Sequence, residues 1–273
     1  MRKPETFEEY KSWCGEFLQT DFDDDTSRNR YETNLNIAYL AAESHVFFET
    51  LKKKFDEWSE DYKKATDSEL LMSPFNLKVV KKTYESAVDK SFRINVLWNE
   101  DFPKEPKKGW VTSRNLHFYF NDGVRGYIVC RFIDGPKFIA ERLKKYAKSL
   151  GLKSHFYSQE REEGYYAYHF YVTIHIPFID ESFKRIVSEI EVEIQLTTQL
   201  QEVLKNLTHQ FYEVNRLKPG KTSKWKWDYR TNRFRVGYIS HTLHLLESII
   251  VEIRDNKTET SELSEDSEKD PNA

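Results

Sequence analysis

Strand-like and helix-like segments alternate through the middle of this sequence, and this alternation limits the fold more than any other feature. Gly123–Phe132 is rich in apolar and aromatic residues, which is typical of a buried strand. Apolar positions recur at helical spacing over residues 138–150. Tyr165–Ile176 and Glu191–Thr197 are again β-rich in residue type, and a helical pattern follows at 199–214. We therefore predict an α+β fold in which helices flank a mixed β-sheet.

The N-terminal hundred residues have helical patterns instead. Thr6-Phe7-Glu8-Glu9 has the form of a capping box, which predicts a short helix through about Leu18. Apolar residues recur at helical spacing over residues 28–64, so one long helix or two are expected there. A weaker helical pattern covers Leu77–Val88. We expect residues 1–100 to form an N-terminal helical region.

The C-terminal part is predicted to be a helix followed by an acidic tail. An apolar stripe predicts a final helix over Thr231–Arg254. Residues 255–273 carry seven acids and two lysines, and such a polar segment is expected to be disordered. The predicted domains are thus 1–100, a core with its C-terminal helix at 101–254, and the tail at 255–273.

Composition excludes several classes of protein. The chain has 273 residues, of which 38% are hydrophobic and 32% charged, and no apolar run is long enough to span a membrane. The first residues lack the apolar core of a signal peptide. Cys14 and Cys130 are the only cysteines, which are too few for a disulfide framework or a zinc site. We therefore expect a cytoplasmic protein with no membrane segment.

Asp122 is the first candidate for chemistry, because it lies where a predicted strand begins, beside Gly123. Mg²⁺ prefers one or two carboxylates together with substrate phosphates, and an aspartate in this position can supply one carboxylate. The alternative is that Asn121-Asp122-Gly123 is an ordinary turn sequence.

Glu193 is the second candidate, because it lies between Val192 and Ile194 within an apolar strand. A carboxylate that points inward from such a strand is costly to bury unless it is paired or binds a metal. An Asp and a Glu at the ends of different strands can converge on one metal ion. The alternative is that Glu191 and Glu193 both face outward from a half-exposed strand.

Tyr165 is the third candidate, because it follows Gly164, which permits close approach of a ligand to the backbone. A tyrosine ring that stacks on a nucleobase contributes about 1–3 kcal/mol. The alternative is that this tyrosine and its neighbours are ordinary strand aromatics. His169 is a candidate ligand contact, although a single histidine on a strand is more often structural.

Taken together, these residues resemble the synthetase domain of the RelA/SpoT family, the pyrophosphokinases that make (p)ppGpp. The resemblance covers about 104–213, and its Glu-Ile-Gln and Gly-Tyr motifs are moderately specific. The matching residues are Asp122 ahead of Ile128-Val129-Cys130, Gly164-Tyr165-x-x-x-His169, Glu193-Ile194-Gln195-x-x-Thr198, and His209 in the helix that follows.

The departures from that family are informative. Arg125 and Tyr127 stand where housekeeping alarmone synthetases carry Gly and Arg. Their phosphate-binding loop has no clean match in this chain. Its nearest equivalent is the segment that contains Lys107, Lys108 and Arg114.

Two short sequences, at 122–126 and 166–169, are more similar to the toxic small alarmone synthetases. Members of that branch pyrophosphorylate the 3′ end of tRNA, and some make adenosine-based alarmones. The resemblance therefore implies a translation-inhibiting toxin, with a protein antitoxin as a partner that the sequence does not name. One alternative is a small alarmone synthetase that makes (p)ppGpp or (p)ppApp from free nucleotides such as GDP or GTP. A second is an inactive nucleotide-binding relative.

The resemblance also implies a mixed β-sheet of the nucleotidyltransferase-like RelA/SpoT synthetase type, and a mechanism in which ATP donates its β,γ-pyrophosphate to a ribose 3′-hydroxyl. Asp122 and Glu193 would hold Mg²⁺, and Glu193 would accept the proton of the hydroxyl. Tyr165 would stack the acceptor base. Candidates for the ATP phosphates are Arg125, Lys107, Lys108 and Arg114. Arg161 is a candidate for the acceptor phosphate, and His169, Gln195 and His209 are further candidates for substrate binding.

A basic and aromatic segment, Arg216–Arg235, bears on the acceptor. It holds eight basic residues and one acid, and its cations interleave with Trp225, Trp227 and Tyr229. This pattern suits a nucleic-acid backbone with stacking on exposed bases, and it favours tRNA over free GDP. The alternatives are a solvated helix face whose aromatics pack inward, or a docking surface for the acidic tail or an inhibitor.

Overall fold

The computed structural model of the chain describes residues 2–162, 164–206 and 225–268, with 257–268 described by their backbone alone. The predictions for His209 and for the basic residues between 207 and 224 fall outside these ranges. No helix among the described residues is long and apolar enough to cross a membrane.

Helices and strands are arranged as an α+β fold, and this prediction is confirmed. The helices are α1 (Phe7–Phe17), α2 (Asp25–Glu43), α3 (Val46–Glu49), α4 (Leu51–Thr66), α5 (Tyr84–Phe92), α6 (Leu116–Tyr119), α7 (Gly135–Ser149), α8 (from residue 199, described to 206) and α9 (Asn232–Glu268). The strands are β1 (Lys78–Lys81), β2 (Val124–Cys130), β3 (Ser154–Glu160), β4 (Tyr166–Ile179) and β5 (Arg185–Thr198). They form one mixed sheet in the order β1-β2-β5-β4-β3.

The chain divides into two compact units. The first unit comprises Met1–Glu49, Lys78–Gly126 and Tyr171–Glu193, and the second comprises Thr50–Leu77, Tyr127–Phe170 and Ile194–Ala273. Each unit therefore contains residues from both sides of residue 100, the predicted domain boundary.

The first unit has an aromatic core with a buried polar network. The predicted capping box at Thr6 is present and begins α1, which buries Tyr10 against Phe92 at 4.9 Å between ring centroids. The Tyr10 hydroxyl lies 2.7 Å from Ser91 Oγ and accepts a hydrogen bond from Asn95 Nδ2. Because these buried polar atoms are paired, they fix the packing of α1 on α5 without an unsatisfied group.

The second unit packs α4 against α7 and anchors α9. Phe55 and Leu143 are fully buried. Arg254 of α9 binds the carboxylate of Asp134, at 3.0 Å, and the hydroxyl of Tyr62, at 2.7 Å. A cation on α9 is thus held by groups from α4 and from the residue that precedes α7.

Two predicted helices are wrong in detail. The helical region at 28–64 is broken into α2, α3 and α4, because the chain leaves the helix at Ser44, the C-cap of α2. The region at 77–88 is not one helix but β1 followed by α5. The β-branched Val79 and Val80 favour the strand, and Thr83, in an extended conformation, caps the helix that follows.

The C-terminal predictions differ from the structure in length. β5 begins at Arg185, six residues before the predicted start of this strand at Glu191. α9 continues to Glu268, past the predicted end at Arg254 and into the segment that we expected to be disordered. The apolar stripe located the helix, but polar residues beyond it can also remain helical.

Candidate functional site

Asp122 lies directly ahead of β2, where β1 and α5 bring two lysines onto its carboxylate. The backbone N–H of Lys82 donates to the carbonyl of Gly123 over 2.9 Å, which fixes the end of β1 beside this turn. Lys82 Nζ lies 3.0 Å from Asp122 Oδ2, and Lys90 Nζ lies 2.8 Å from Oδ1. Each carboxylate oxygen therefore has its own lysine, and all three side chains are largely buried.

This cluster carries more positive than negative charge. Burial by itself would raise the pKa of Asp122, but the charges and hydrogen bonds of Lys90 and Lys82 outweigh it and lower that pKa to about 2. Burial lowers the pKa of Lys82; the charge of Asp122 opposes this, while those of Lys90 and Arg125 reinforce it. Three cations thus act around one carboxylate, which makes the cluster a favourable place for a further anion.

Glu193 is buried within β5, with 2% of its surface exposed, and its neighbours Val192 and Ile194 are fully buried. The hydroxyl of Tyr171, on β4, donates to Glu193 Oε1 over 2.9 Å. Glu191, two residues earlier, is only half-buried. The prediction that Glu193 is buried is confirmed, and the outward-facing alternative is wrong for this residue.

The turn that carries Tyr165 is fixed by α9. Gly164 has a positive φ of 88°, and a Cβ atom there would lie 2.5 Å from the Cβ of Ser240, so the position requires glycine. The Ser240 hydroxyl donates to the Gly164 carbonyl. The N–H of Arg161 donates to the carbonyl of Tyr165 over 3.1 Å. The backbone on both sides of Tyr165 is therefore held in place.

Tyr166, the next residue, is also held by α9. Its ring stacks on His244 with 3.7 Å between ring centroids, and its hydroxyl lies 2.6 Å from His241 Nδ1. His241 Nε2 lies 2.9 Å from the carbonyl of Glu162. A carbonyl only accepts, so Nε2 donates, and in the neutral ring Nδ1 accepts from the tyrosine hydroxyl.

Three of the predicted substrate-binding residues lie together in the second unit. The Tyr165 hydroxyl is 3.5 Å from His169 Nε2, and the Arg161 guanidinium is 5.6 Å from the Tyr165 ring centroid. His169 is 5% exposed and stacks on Tyr157 at 5.5 Å. Arg161, Tyr165 and His169 thus form one local group.

A narrow recess in the second unit contains a fourth predicted residue, Gln195. The lining residues are Tyr127, Tyr165, Tyr166, Ala167, Gln195, Thr197, Gln201 and Lys205. Lys205 Nζ, on α8, lies 4.5 Å from the ring centroid of Tyr127, close enough for a cation–π interaction. Tyr127, one of the departures from the family pattern, therefore holds a cation over its ring.

The remaining predicted cations lie outside this recess, and Arg114 lines a second recess in the first unit together with Arg30 and Asp21. Lys107 and Lys108 are exposed in a turn, and Arg114 pairs with Glu181 at 3.0 Å on the surface. Among the described residues, no group of three or more His, Cys, Asp or Glu side chains is arranged to hold a metal ion.

The described part of the basic and aromatic segment exposes two of its rings. Trp227 is 85% exposed and Tyr229 is 62% exposed, with the Arg230 guanidinium 5.5 Å from the Tyr229 ring centroid. Trp225, in contrast, is buried, and the Arg233 guanidinium lies 5.6 Å from its ring. The segment is thus neither wholly inward-packed nor wholly exposed.

The architecture that supports these residues is the fold of the small alarmone synthetases. A GTP pyrophosphokinase family protein from Streptococcus pneumoniae has a TM-score of 0.52 and 19% identity, over 88% of this chain and 98% of that protein. Small alarmone synthetase 1 from Bacillus subtilis, bound to its product pppGpp, has a TM-score of 0.50 and 18% identity, over 84% of this chain and 99% of that protein. No family model and no curated protein matches the sequence. At such identities the likeness establishes the fold, and the function must be inferred from the site.

Sequence reasoning missed Lys82 and Lys90, the two lysines on Asp122. A signal was present, because Val79 and Val80 favour a strand and Thr83 is a good helix cap. With a strand that ends at residue 81 and a helix that begins at 84, Lys82 falls at the junction and Lys90 two turns into the helix. We had assigned the whole region to one helix, which hid this arrangement.

Proposed function

We propose that this protein is an ATP-dependent pyrophosphokinase that transfers the β,γ-pyrophosphate of ATP to a ribose 3′-hydroxyl. The observation that carries the proposal is the buried carboxylate of Glu193 on the fold of the small alarmone synthetases. A carboxylate that is 2% exposed and kept on an apolar strand costs stability, and a catalytic role explains why it is there.

The donor phosphates are assigned to the cations around Asp122. Lys82, Lys90 and Arg125 together outnumber the single carboxylate, so a polyphosphate would find an excess of positive charge there. Lys107, Lys108 and Arg114 remain candidates for the outer phosphates, since exposed side chains are able to reorient.

We infer that Asp122 and Glu193 would be the protein ligands of Mg²⁺, and that Asp122 would release Lys82 or Lys90 in order to bind it. Mg²⁺ takes carboxylate oxygens and usually keeps substrate phosphates and water in its remaining positions. When bound, the ion would neutralise charge on the phosphates. Asp122 is ionised at neutral pH, since its pKa is about 2.

The acceptor is assigned to the group around Tyr165. Its ring would stack on the base, with His169 holding the tyrosine hydroxyl and Arg161 near an acceptor phosphate. Gln195 and Lys205 would supply polar contacts in the recess. Glu193 would accept the proton of the attacking hydroxyl.

The test is transfer of label from γ-labelled ATP in the presence of Mg²⁺ to deacylated tRNA, to GDP and GTP, or to adenine nucleotides. Glu193→Gln should reduce transfer by at least about 100-fold, because removal of a general base has effects of this size. Glu191→Gln is a matched control, since the same change is made two residues away at a half-buried position. Transfer by the Glu193→Gln enzyme at the rate of the control would refute the assignment.

We propose the 3′ end of tRNA as the acceptor, and hence a translation-inhibiting toxin. The exposed rings of Trp227 and Tyr229, with Arg230 beside the second, support an RNA acceptor. Trp227→Ala should weaken transfer to tRNA by about 10-fold and leave transfer to nucleotides unchanged. Trp98→Ala is the control, because Trp98 is also a tryptophan with an exposed ring, in another part of the chain.

The second candidate is synthesis of (p)ppGpp or (p)ppApp from free nucleotides, which is favoured by the pppGpp bound to the Bacillus subtilis protein. Label found in GDP or GTP and not in tRNA would decide for it. Growth arrest on expression, relieved by Glu193→Gln, would support toxicity with either acceptor and would exclude an inactive relative. Co-purification from cells that express the neighbouring genes would test for a protein antitoxin.

A further inference from the structure

Tyr171 lies directly opposite Glu193 in the hairpin that β4 and β5 form. The two strands are neighbours in the sheet and are joined by a short turn at 180–184, which makes them antiparallel. Across this hairpin His175 Nε2 lies 3.3 Å from Glu189 Oε1. Tyr171 is four residues before His175, and Glu193 is four residues after Glu189. The same register therefore pairs Tyr171 with Glu193.

Packing keeps both members of this pair in place. Tyr171 is 3% exposed and Glu193 is 2% exposed, and their neighbours Val172 and Val192 are fully buried. A tyrosine ring turns about only two side-chain bonds, and close packing restricts both. The Tyr171 hydroxyl, which donates to Glu193 Oε1 over 2.9 Å, is therefore a hydrogen-bond donor at a fixed position.

A fixed donor determines the direction of the Glu193 carboxylate. The last bond of a glutamate side chain has a broad rotational preference, so the carboxylate group turns unless another group holds it. The hydrogen bond from Tyr171 holds Oε1, and because the carboxylate group is rigid, this also fixes the direction of Oε2. A general base must be aligned with the proton that it accepts, and a small misplacement greatly lowers the rate.

We propose that Tyr171 is a positioning residue, which aims the Glu193 carboxylate at the attacking ribose hydroxyl; this inference rests on the proposed pyrophosphokinase function. In that reaction the ribose oxygen bonds to the β-phosphorus of ATP while the bond from that phosphorus to the α,β-bridging oxygen breaks, so that AMP leaves. Glu193 takes the hydroxyl proton, and Tyr171 keeps its own proton and only donates a hydrogen bond. Tyr171 lies two residues beyond the Gly-Tyr motif, which ends at His169, so the motif by itself does not identify it.

The first test compares the kinetics of Tyr171→Phe and Tyr84→Phe, with γ-labelled ATP and the acceptor that the wild type uses. Tyr84 is the matched control, because it is 5% exposed in the same unit and its hydroxyl also donates over 2.9 Å, to the carbonyl of Phe22. Each variant loses one buried hydrogen bond, so both should unfold at a lower urea concentration than the wild type. Only Tyr171→Phe should lower kcat, by about 10- to 100-fold, with the KM values nearly unchanged. Equal kcat values in the two variants would overturn the proposal.

The second test determines whether Tyr171 acts through Glu193. Glu193→Asp shortens the side chain by one methylene and draws the carboxylate away from the hydroxyl, so in that background Tyr171→Phe should change kcat by less than about twofold. The full loss in both backgrounds would show that Tyr171 acts independently of Glu193, which would overturn the proposal.

A third variant separates the hydrogen bond from the packing of the ring. Replacement of Tyr171 by 4-aminophenylalanine keeps a donor at the same place and should restore most of kcat, and no recovery would overturn the proposal. The outcomes also separate this role from the proposed function. A wild type that transfers label while Tyr171→Phe keeps its kcat refutes the positioning role alone, whereas a wild type that transfers no label to any acceptor refutes the proposed function and this inference together.

Discussion

The ion pairs of Asp122 should make the free energy of unfolding depend on pH in the acid range, and Lys90 should control the size of this dependence. The pKa of Asp122 is about 2, against an ordinary value near 3.9. A difference of about two units corresponds to roughly 2.5 kcal/mol of stability at neutral pH. Because the folded-state pKa is the lower one, this contribution is complete above the unfolded-state value near pH 4 and is lost as the pH falls towards 2.

Lys90→Met removes one of the two cations and keeps an apolar chain of similar length. The pKa of Asp122 should then rise towards its ordinary value, and the free energy of unfolding at pH 7 should fall by about 1–2 kcal/mol. The loss is smaller than the whole contribution because Lys82 stays in place, and because removal of Lys90 also relieves its repulsion of Lys82.

The measurement is urea unfolding, followed by tryptophan fluorescence, of wild type and variant between pH 7 and pH 3. The difference in free energy of unfolding between wild type and Lys90→Met should become smaller as the pH falls below about 4, since Asp122 is by then protonated in the unfolded state. Lys108→Met is the control, because Lys108 is exposed in a turn. A gap of equal size at pH 7 and pH 3, or no gap at pH 7, would show that Lys90 does not lower this pKa.

Two further changes test how α9 is fixed. Gly164→Ala should lower the free energy of unfolding by about 1–3 kcal/mol, since the new methyl group meets Ser240 and the positive φ is strained for alanine. Gly15→Ala in α1 is the control and should be neutral or stabilising, because no atom lies within 4 Å of the added Cβ. Equal thermal midpoints for the two variants would contradict the requirement for glycine at position 164. Arg254→Met should lower the free energy of unfolding by about 1–3 kcal/mol, because it removes the cation that binds Asp134. The rate of amide hydrogen exchange in α9 should also rise. Unchanged exchange in α9 would count against an anchoring role for Arg254.

The sequence was sufficient for β2, for β4, for the C-terminal half of β5 and for the burial of Glu193, because all of these depend on local apolar patterns. Val192 and Ile194 mark an apolar strand, and a carboxylate placed between them is costly to bury unless it has a partner. The structure buries Glu193 and pairs it with the hydroxyl of Tyr171. The same reasoning failed at residues 77–88. A strand of four residues, as in β1, covers little more than one helical turn, so its pattern cannot be distinguished from part of a helix.

Contacts between distant segments were beyond the reach of such patterns. The requirement for glycine at position 164 arises from Ser240, 76 residues later in the chain. Likewise, the cation over Tyr127 is Lys205 from α8. A position-by-position comparison with the RelA/SpoT pattern registers Tyr127 as the loss of an arginine. The structure instead places Lys205 Nζ 4.5 Å from the centroid of the Tyr127 ring, at the recess. If Lys205 has taken over that role, Lys205→Met should weaken acceptor binding more than Tyr127→Phe, which keeps the ring.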